Sequence, residues 1–194
     1  MKKFVFAVLF TVAGVSSASV TFEFFNTNSS SFFSLTGLST AVVTNDGLIA
    51  TFSVNTGTMN RVGSYGFGIT GSGVSGGTTS TIDPGEFLYI SFDKDVEITV
   101  LDFRQFTAGE TFNVFFDSTD HWIAFADLSG SAAIYSNINW SVSAGTVIEF
   151  SVASGSSISL DGFTVSVIPE PAVTVMSVAA AAAVLFFIRR FHRR

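Results

Sequence analysis

The stretch Val96-Glu97-Ile98-Thr99-Val100-Leu101-Asp102-Phe103 decides the fold. Val96, Ile98 and Val100 alternate with Glu97 and Thr99. Side chains along an extended chain point to opposite faces in turn, so a period of two marks a strand buried on one face. After Val100 the apolar parity shifts to Leu101 and Phe103, which predicts a bulge or bend. The alternation recurs in both directions. Val20, Phe22 and Phe24 flank Thr21 and Glu23; Phe112, Val114 and Phe116 repeat it, as do Ile148, Phe150 and Val152. Phe163, Val165 and Val167 share one face, with Thr164 and Ser166 on the other. Residues 48–54, 87–92, 122–126 and 138–142 are further candidate strands. Nothing between residues 19 and 168 has helical periodicity. Many short strands of this kind predict an all-β body, an antiparallel β-sandwich.

Turns punctuate the strands. Asp83-Pro84-Gly85-Glu86, Thr107-Ala108-Gly109-Glu110 and Ser143-Ala144-Gly145-Thr146 each run straight into one of them. Glycine in third place supplies the positive φ of a type II turn, and Pro84 suits the second place. Their unequal spacing indicates shared turn chemistry rather than a solenoid repeat. Residues 63–81 carry seven glycines among Ser and Thr, and are expected to form a long flexible loop without a core strand. No helix start and no lysine follow it, so it is no phosphate cradle.

The two ends differ from the body. Lys2 and Lys3 precede an apolar stretch at 4–15 and then Ser16-Ser17-Ala18, the pattern of a secretory signal peptide over residues 1–18, cut by signal peptidase between Ala18 and Ser19. At the other end Pro169-Glu170-Pro171 precedes an uncharged apolar run at 172–188, expected to be a transmembrane helix, and then Arg189, Arg190, Arg193 and Arg194. Seventeen residues of helix span roughly 25 Å, enough for a bilayer core that thins locally or lets the arginines snorkel. Arginines favour the cytoplasmic side, which places the body on the far side of the membrane.

This tail, residues 169–194, resembles the PEP-CTERM sorting signal of exported bacterial proteins. The residues that carry the likeness are Ile168-Pro169-Glu170-Pro171, the apolar run and the closing arginines. Ile168 stands where valine is commoner, and the run is rich in Ala and Phe rather than Leu and Gly. The resemblance implies an exosortase-type enzyme that reads the tripartite tail and cuts near Pro-Glu-Pro. It also implies a destination at the cell surface or in the extracellular polysaccharide matrix of a biofilm. Residues 82–92 and 158–168 give the body a weaker resemblance to the jelly-roll-like ectodomains found in front of such tails.

The body, residues 19–168, is long enough to bury one core. It has no cysteine, so an exported chain must hold together by packing alone, and the 23 phenylalanines of the sequence supply much of that apolar area. Six of the nine basic residues lie in the two ends. The body keeps Arg61, Lys94 and Arg104 against fourteen acidic residues. Such a surface repels nucleic acid and anionic headgroups, and tolerates neutral glycans and cations.

Catalytic chemistry finds few residues. His121, the body's one histidine, reads as a turn residue after Asp117 and Asp120, and no serine sits in a strand-to-helix elbow. Zinc lacks ligands. Asp93, Asp95 and Glu97 fall on one face of an extended segment, where they could supply glycosidase carboxylates but read better as a solvated strand face. Calcium suits acidic loops better, with Asp93, Asp95, Asp117 and Asp120 as its candidate ligands and Asp83 with Glu86 as a further pair. Sugar stacking would use exposed aromatics. Tyr65 in the glycine-rich loop and Trp122 after a turn are the candidates, while Tyr89 and Tyr135 are also available and Trp140 is expected in the core. The expectation is a non-enzymatic structural or adhesive protein of the polysaccharide matrix, with no required cofactor. A calcium-dependent carbohydrate-binding module is the alternative, and a polysaccharide-modifying enzyme the third reading.

Overall fold

The computed structural model describes residues 17–24, 33–61, 66–70, 81–124 and 133–169. The expected signal peptide up to Ser16, Tyr65 and the tail from Glu170 onward lie outside these residues. Among the described residues no helix is long and apolar enough to cross a membrane.

The body is all-β, with two antiparallel sheets. Its strands are β1 Ser19–Glu23, β2 Thr40–Asn45, β3 Leu48–Val54, β4 Thr58–Arg61, β5 Phe67–Thr70, β6 Leu88–Phe92, β7 Val96–Arg104, β8 Thr111–Phe116, β9 Thr119–Ala124, β10 Ala133–Val142, β11 Ile148–Val152 and β12 Ser159–Val167. The first sheet runs β10-β7-β12-β5-β4, with β1 also paired to β12; the second runs β2-β3-β6-β11-β8-β9. From β6 to β12 the chain changes sheet at every connection but the β8–β9 hairpin.

Alternation fixes which face each strand buries. Inward residues of both sheets form one core, in which Phe22, Phe24, Phe52, Phe67, Phe103, Phe112 and Phe150 are fully buried. Rings meet across the sheets: Phe22 of β1 and Phe24 just after it lie 6.0 and 5.9 Å from Phe52 of β3, and Phe103 of β7 lies 4.8 Å from Phe112 of β8. Edge-to-face and tilted pairs of this kind add to the area they bury.

The parity shift in β7 is a real irregularity. Thr164 faces Val100 while Val165 faces Ile98, so Thr99 is the extra residue. The three glycine turns form, with N–H(i+3) to O(i) hydrogen bonds of 3.0, 3.2 and 3.0 Å. A fourth, Ala153-Ser154-Gly155-Ser156, shares their geometry with a 3.0 Å bond and φ +84° at Gly155. Two turns use their fourth side chain as well. Glu86 accepts from the Asp83 N–H at 2.9 Å; Glu110 accepts from the Thr107 N–H and, at 2.9 Å, from the Ser157 N–H. Both carboxylates are buried for that reason.

One expectation is corrected. The glycine-rich segment contains β5, whose Phe67 and Ile69 are core residues; it pairs with β4 and meets β12 at Leu160. Two apolar residues among glycines are too few to register as alternation, yet glycine lets the backbone approach closely. A Cβ on Gly66 would stand 2.8 Å from Ser159 Oγ.

Candidate functional site

The outer face of the second sheet gathers aromatic and polar side chains. In register, Asp120 of β9, Phe115 of β8, Glu149 of β11, Tyr89 of β6, Ser53 of β3 and Thr40 of β2 form one row across all six strands. The adjacent row holds Trp122, Asn113 and Ser151. Trp122 is 74% exposed and Phe115 41%. With Asn113, Asp120, His121, Glu149 and Ser151 they line an open cleft of about 420 Å³. Tyr89 stacks on Phe87, ring centroids 6.3 Å apart, further along the same face.

Large rings on a strand face in water have a cost that packing does not offset, and a cleft that sets them among hydrogen-bonding groups has the chemistry of a ligand surface. Its electrostatics are acidic. Burial, and then the charge of Asp120, hold the Glu149 carboxyl above the ordinary range. Burial, and then Glu149, raise the Tyr89 hydroxyl in turn.

Trp122 is thus the expected aromatic that lines this cleft. Asp120 joins it as one wall of the cleft. Asp117 lies in the β8–β9 turn, where it and Ser118 adopt φ +49° and +58°. Asp93 and Asp95 serve separate loops: Asp93 Oδ1 accepts from the Ile49 N–H and Asp95 Oδ1 from the Ala144 N–H, both at 2.8 Å. They flank Lys94 in a turn, and only Glu97 lies in β7, so the expected common strand face does not form. Among the described residues no group of three His, Asp or Glu side chains is placed to hold a metal ion. Asp83 is buried and accepts from the Thr81 and Ser157 hydroxyls.

His121 is corrected from turn to strand. It pairs with Val114, and its ring lies 4.6 Å from both Phe116 and Trp140. Trp140 is half-buried against the core, and Tyr135 packs edge-on to Phe103 at 5.9 Å. Ser19 opens β1, and Ala18 just before it accepts a 2.9 Å hydrogen bond from the Val167 N–H. Of the residues expected to form a sorting motif, Pro169 alone is described; Glu170, Pro171, Arg189, Arg190, Arg193 and Arg194 are not.

Sequence reasoning missed Asn113, Phe115, Glu149 and Ser151. Each is an outward position of a correctly read strand, but only the pairing of β8 with both β9 and β11 brings them together. The chain matches no family model and no curated protein.

Proposed function

We propose that this is an exported envelope or matrix protein that holds extracellular polysaccharide on the outer face of its second sheet. The observation that carries the reading is Trp122. A large ring, 74% exposed, is fixed on a strand beside Phe115 and ringed by Asp120, Glu149, Asn113 and Ser151. Sugar rings present an apolar face that stacks on aromatics and a rim of hydroxyls that donate to carboxylates and amides. An acidic body favours neutral or cationic glycans over anionic ones.

The finer fold reading is a jelly roll. The order β1-β12-β7-β10 in one sheet and β6-β11-β8-β9 in the other supports it, with β2–β3 and β4–β5 as added hairpins. Export rests on the signal peptide and the PEP-CTERM-like tail, with an exosortase-type enzyme as the processing partner and the cell surface or matrix as the destination. The position of the motif is compatible with this, since β12 ends at Val167, two residues before Pro169.

A depletion assay on insoluble neutral polysaccharides tests the reading. The wild-type protein should be retained, and Trp122→Ala should lose at least tenfold in affinity while melting at the same temperature. Retention unaffected by the substitution, or no retention of the wild type by any glycan, would count against it. Binding that needs calcium would favour the calcium-dependent alternative. One feature favours hydrolysis as a second reading: Asp120 and Glu149 flank Phe115, and Glu149 has the raised carboxyl of a general acid. Release of reducing ends, abolished in Glu149→Gln, would establish it.

A further inference from the structure

The outer face of the first sheet holds a group that glycan binding does not use. Gly162 of β12 is paired with Glu23 of β1 on one side and with Asp102 of β7 on the other. Glu23 and Asp102 therefore stand in one cross-strand row, separated by a residue with no side chain. The irregularity between Leu160 and Gly162 inserts Asp161 beside that row, where it is 8% exposed. All three carboxyls line a cavity of about 170 Å³. Arg104 meets this group at Asp161, its Nε donating to Asp161 Oδ2 at 3.0 Å. From β10 the residue opposite Asp102 is Ile134, which brings no charge. Glu23 Oε2 and Asp161 Oδ1 are buried without any hydrogen-bond donor.

Buried acceptors without donors are costly, and carboxylates crowded together are costlier still. A metal ion is not the remedy the geometry offers, because no three such side chains among the described residues are placed to ligate one. A proton is sufficient. It neutralises one carboxylate and removes one of the repelling charges.

We propose that Glu23, Asp102 and Asp161 form a proton-binding site that clasps β1 and β7 to β12, tightening the body in acidic surroundings and loosening it in neutral ones. Asp102 is the seat of the proton. Burial and the charge of Asp161 push its carboxyl up to about 6, with Glu23 adding to the rise; Arg104 and the Phe103 backbone work against it. In the unfolded chain an aspartate titrates near ~3.9. Between those values the folded chain holds a proton that the unfolded chain has released. The stabilisation is present in full below the unfolded value and is lost as pH rises through about 6.

Carboxyl-carbon NMR titration of the full chain in mild detergent, together with thermal melts at pH 5 and pH 7, tests the site. Asp102 should titrate near pH 6, and the wild type should melt higher at pH 5 than at pH 7. Asp102→Asn, a neutral isostere of the protonated form, should melt at pH 7 close to the wild type at pH 5. An Asp102 carboxyl that titrates below pH 5 overturns the proposal, and so does a variant that keeps the full pH dependence. Should the variant not fold, the wild-type titration decides alone. Millimolar calcium that raises the wild-type melting temperature at pH 7 beyond matched sodium chloride, but not that of Asp102→Asn, would show a metal seat instead and equally overturn it.

Discussion

Gly162 shows how much one missing side chain can organise. A Cβ there would stand 2.5 Å from the Phe22 carbonyl oxygen, which is backbone and cannot swing aside. Gly162→Ala should push β1 off β12 and destabilise the body by about 1–3 kcal/mol in denaturant unfolding. An unchanged midpoint would mean that β1 does not pack as described. Two aromatics make the complementary contrast. Phe22 is fully buried among Phe33, Phe52, Phe92 and Phe163, so Phe22→Ala should cost roughly 3–5 kcal/mol. Trp122 faces water, and Trp122→Ala should move stability by no more than about 0.5 kcal/mol. The same melts that measure the first set the baseline for the binding assay on the second.

At the scale of elements, two of the glycine turns are held by their acidic fourth residues, Glu86 and Glu110. Glu110 also joins one turn to another, accepting from Thr107 within its own turn and from Ser157 just beyond the fourth, Ala153-Ser154-Gly155-Ser156. Removing the carboxylate leaves two N–H groups to find new partners. Glu110→Ala should therefore cost about 1–3 kcal/mol, and Glu110→Gln, which keeps one acceptor oxygen, clearly less. Equal losses in the two variants would show that charge rather than acceptor geometry matters.

Those turns were legible in the sequence because their chemistry is local, and so were the strands with strict alternation. Leu48–Val54 and Ile148–Val152 fall where the pattern puts them, and the bulge at Thr99 was announced by the shift from Val100 to Leu101. What escaped was non-local or too short. β4 and β5 have four residues each, too few for a period of two to declare itself, and β2 is an edge strand whose Val42 faces water. The cleft escaped for a related reason. Trp122 stood out alone, but Glu149 lies 27 positions away and becomes its neighbour only through the register of β11 on β8.

For the whole body, charge is distributed unevenly. Asp46, Asp93, Asp95, Asp117 and Asp120 are exposed and lie in or next to the loops at the end where β12 runs out towards Pro169. Lys94, donating to the Gly47 carbonyl, is the cation among them. The acids of the opposite turns, Asp83, Glu86 and Glu110, are buried and hydrogen-bonded. Crowded surface carboxylates repel one another through water and are screened by salt over a Debye length of about 10 Å at 0.1 M. Raising sodium chloride from about 0.01 M to the physiological 0.15 M should therefore raise the melting temperature at pH 7. A flat response would show that the repulsion is already relieved by spacing.

The position of β12 has a mechanical consequence. It is flanked by β7 on one side and by β1 and β5 on the other, and it leads to Pro169 within two residues. A pull on the tail along the strand would load its hydrogen bonds to β7 and β1 in shear, many at once, whereas a pull that peels an edge strand such as β9 breaks them one after another. A body tethered through this strand and gripped on its opposite sheet would act as a stiff link between anchor and cargo. Single-molecule stretching between residues 169 and 122 should accordingly meet its largest force peak at the release of β12, and a peak that instead reports the peeling of β9 would locate the weak point at the grip.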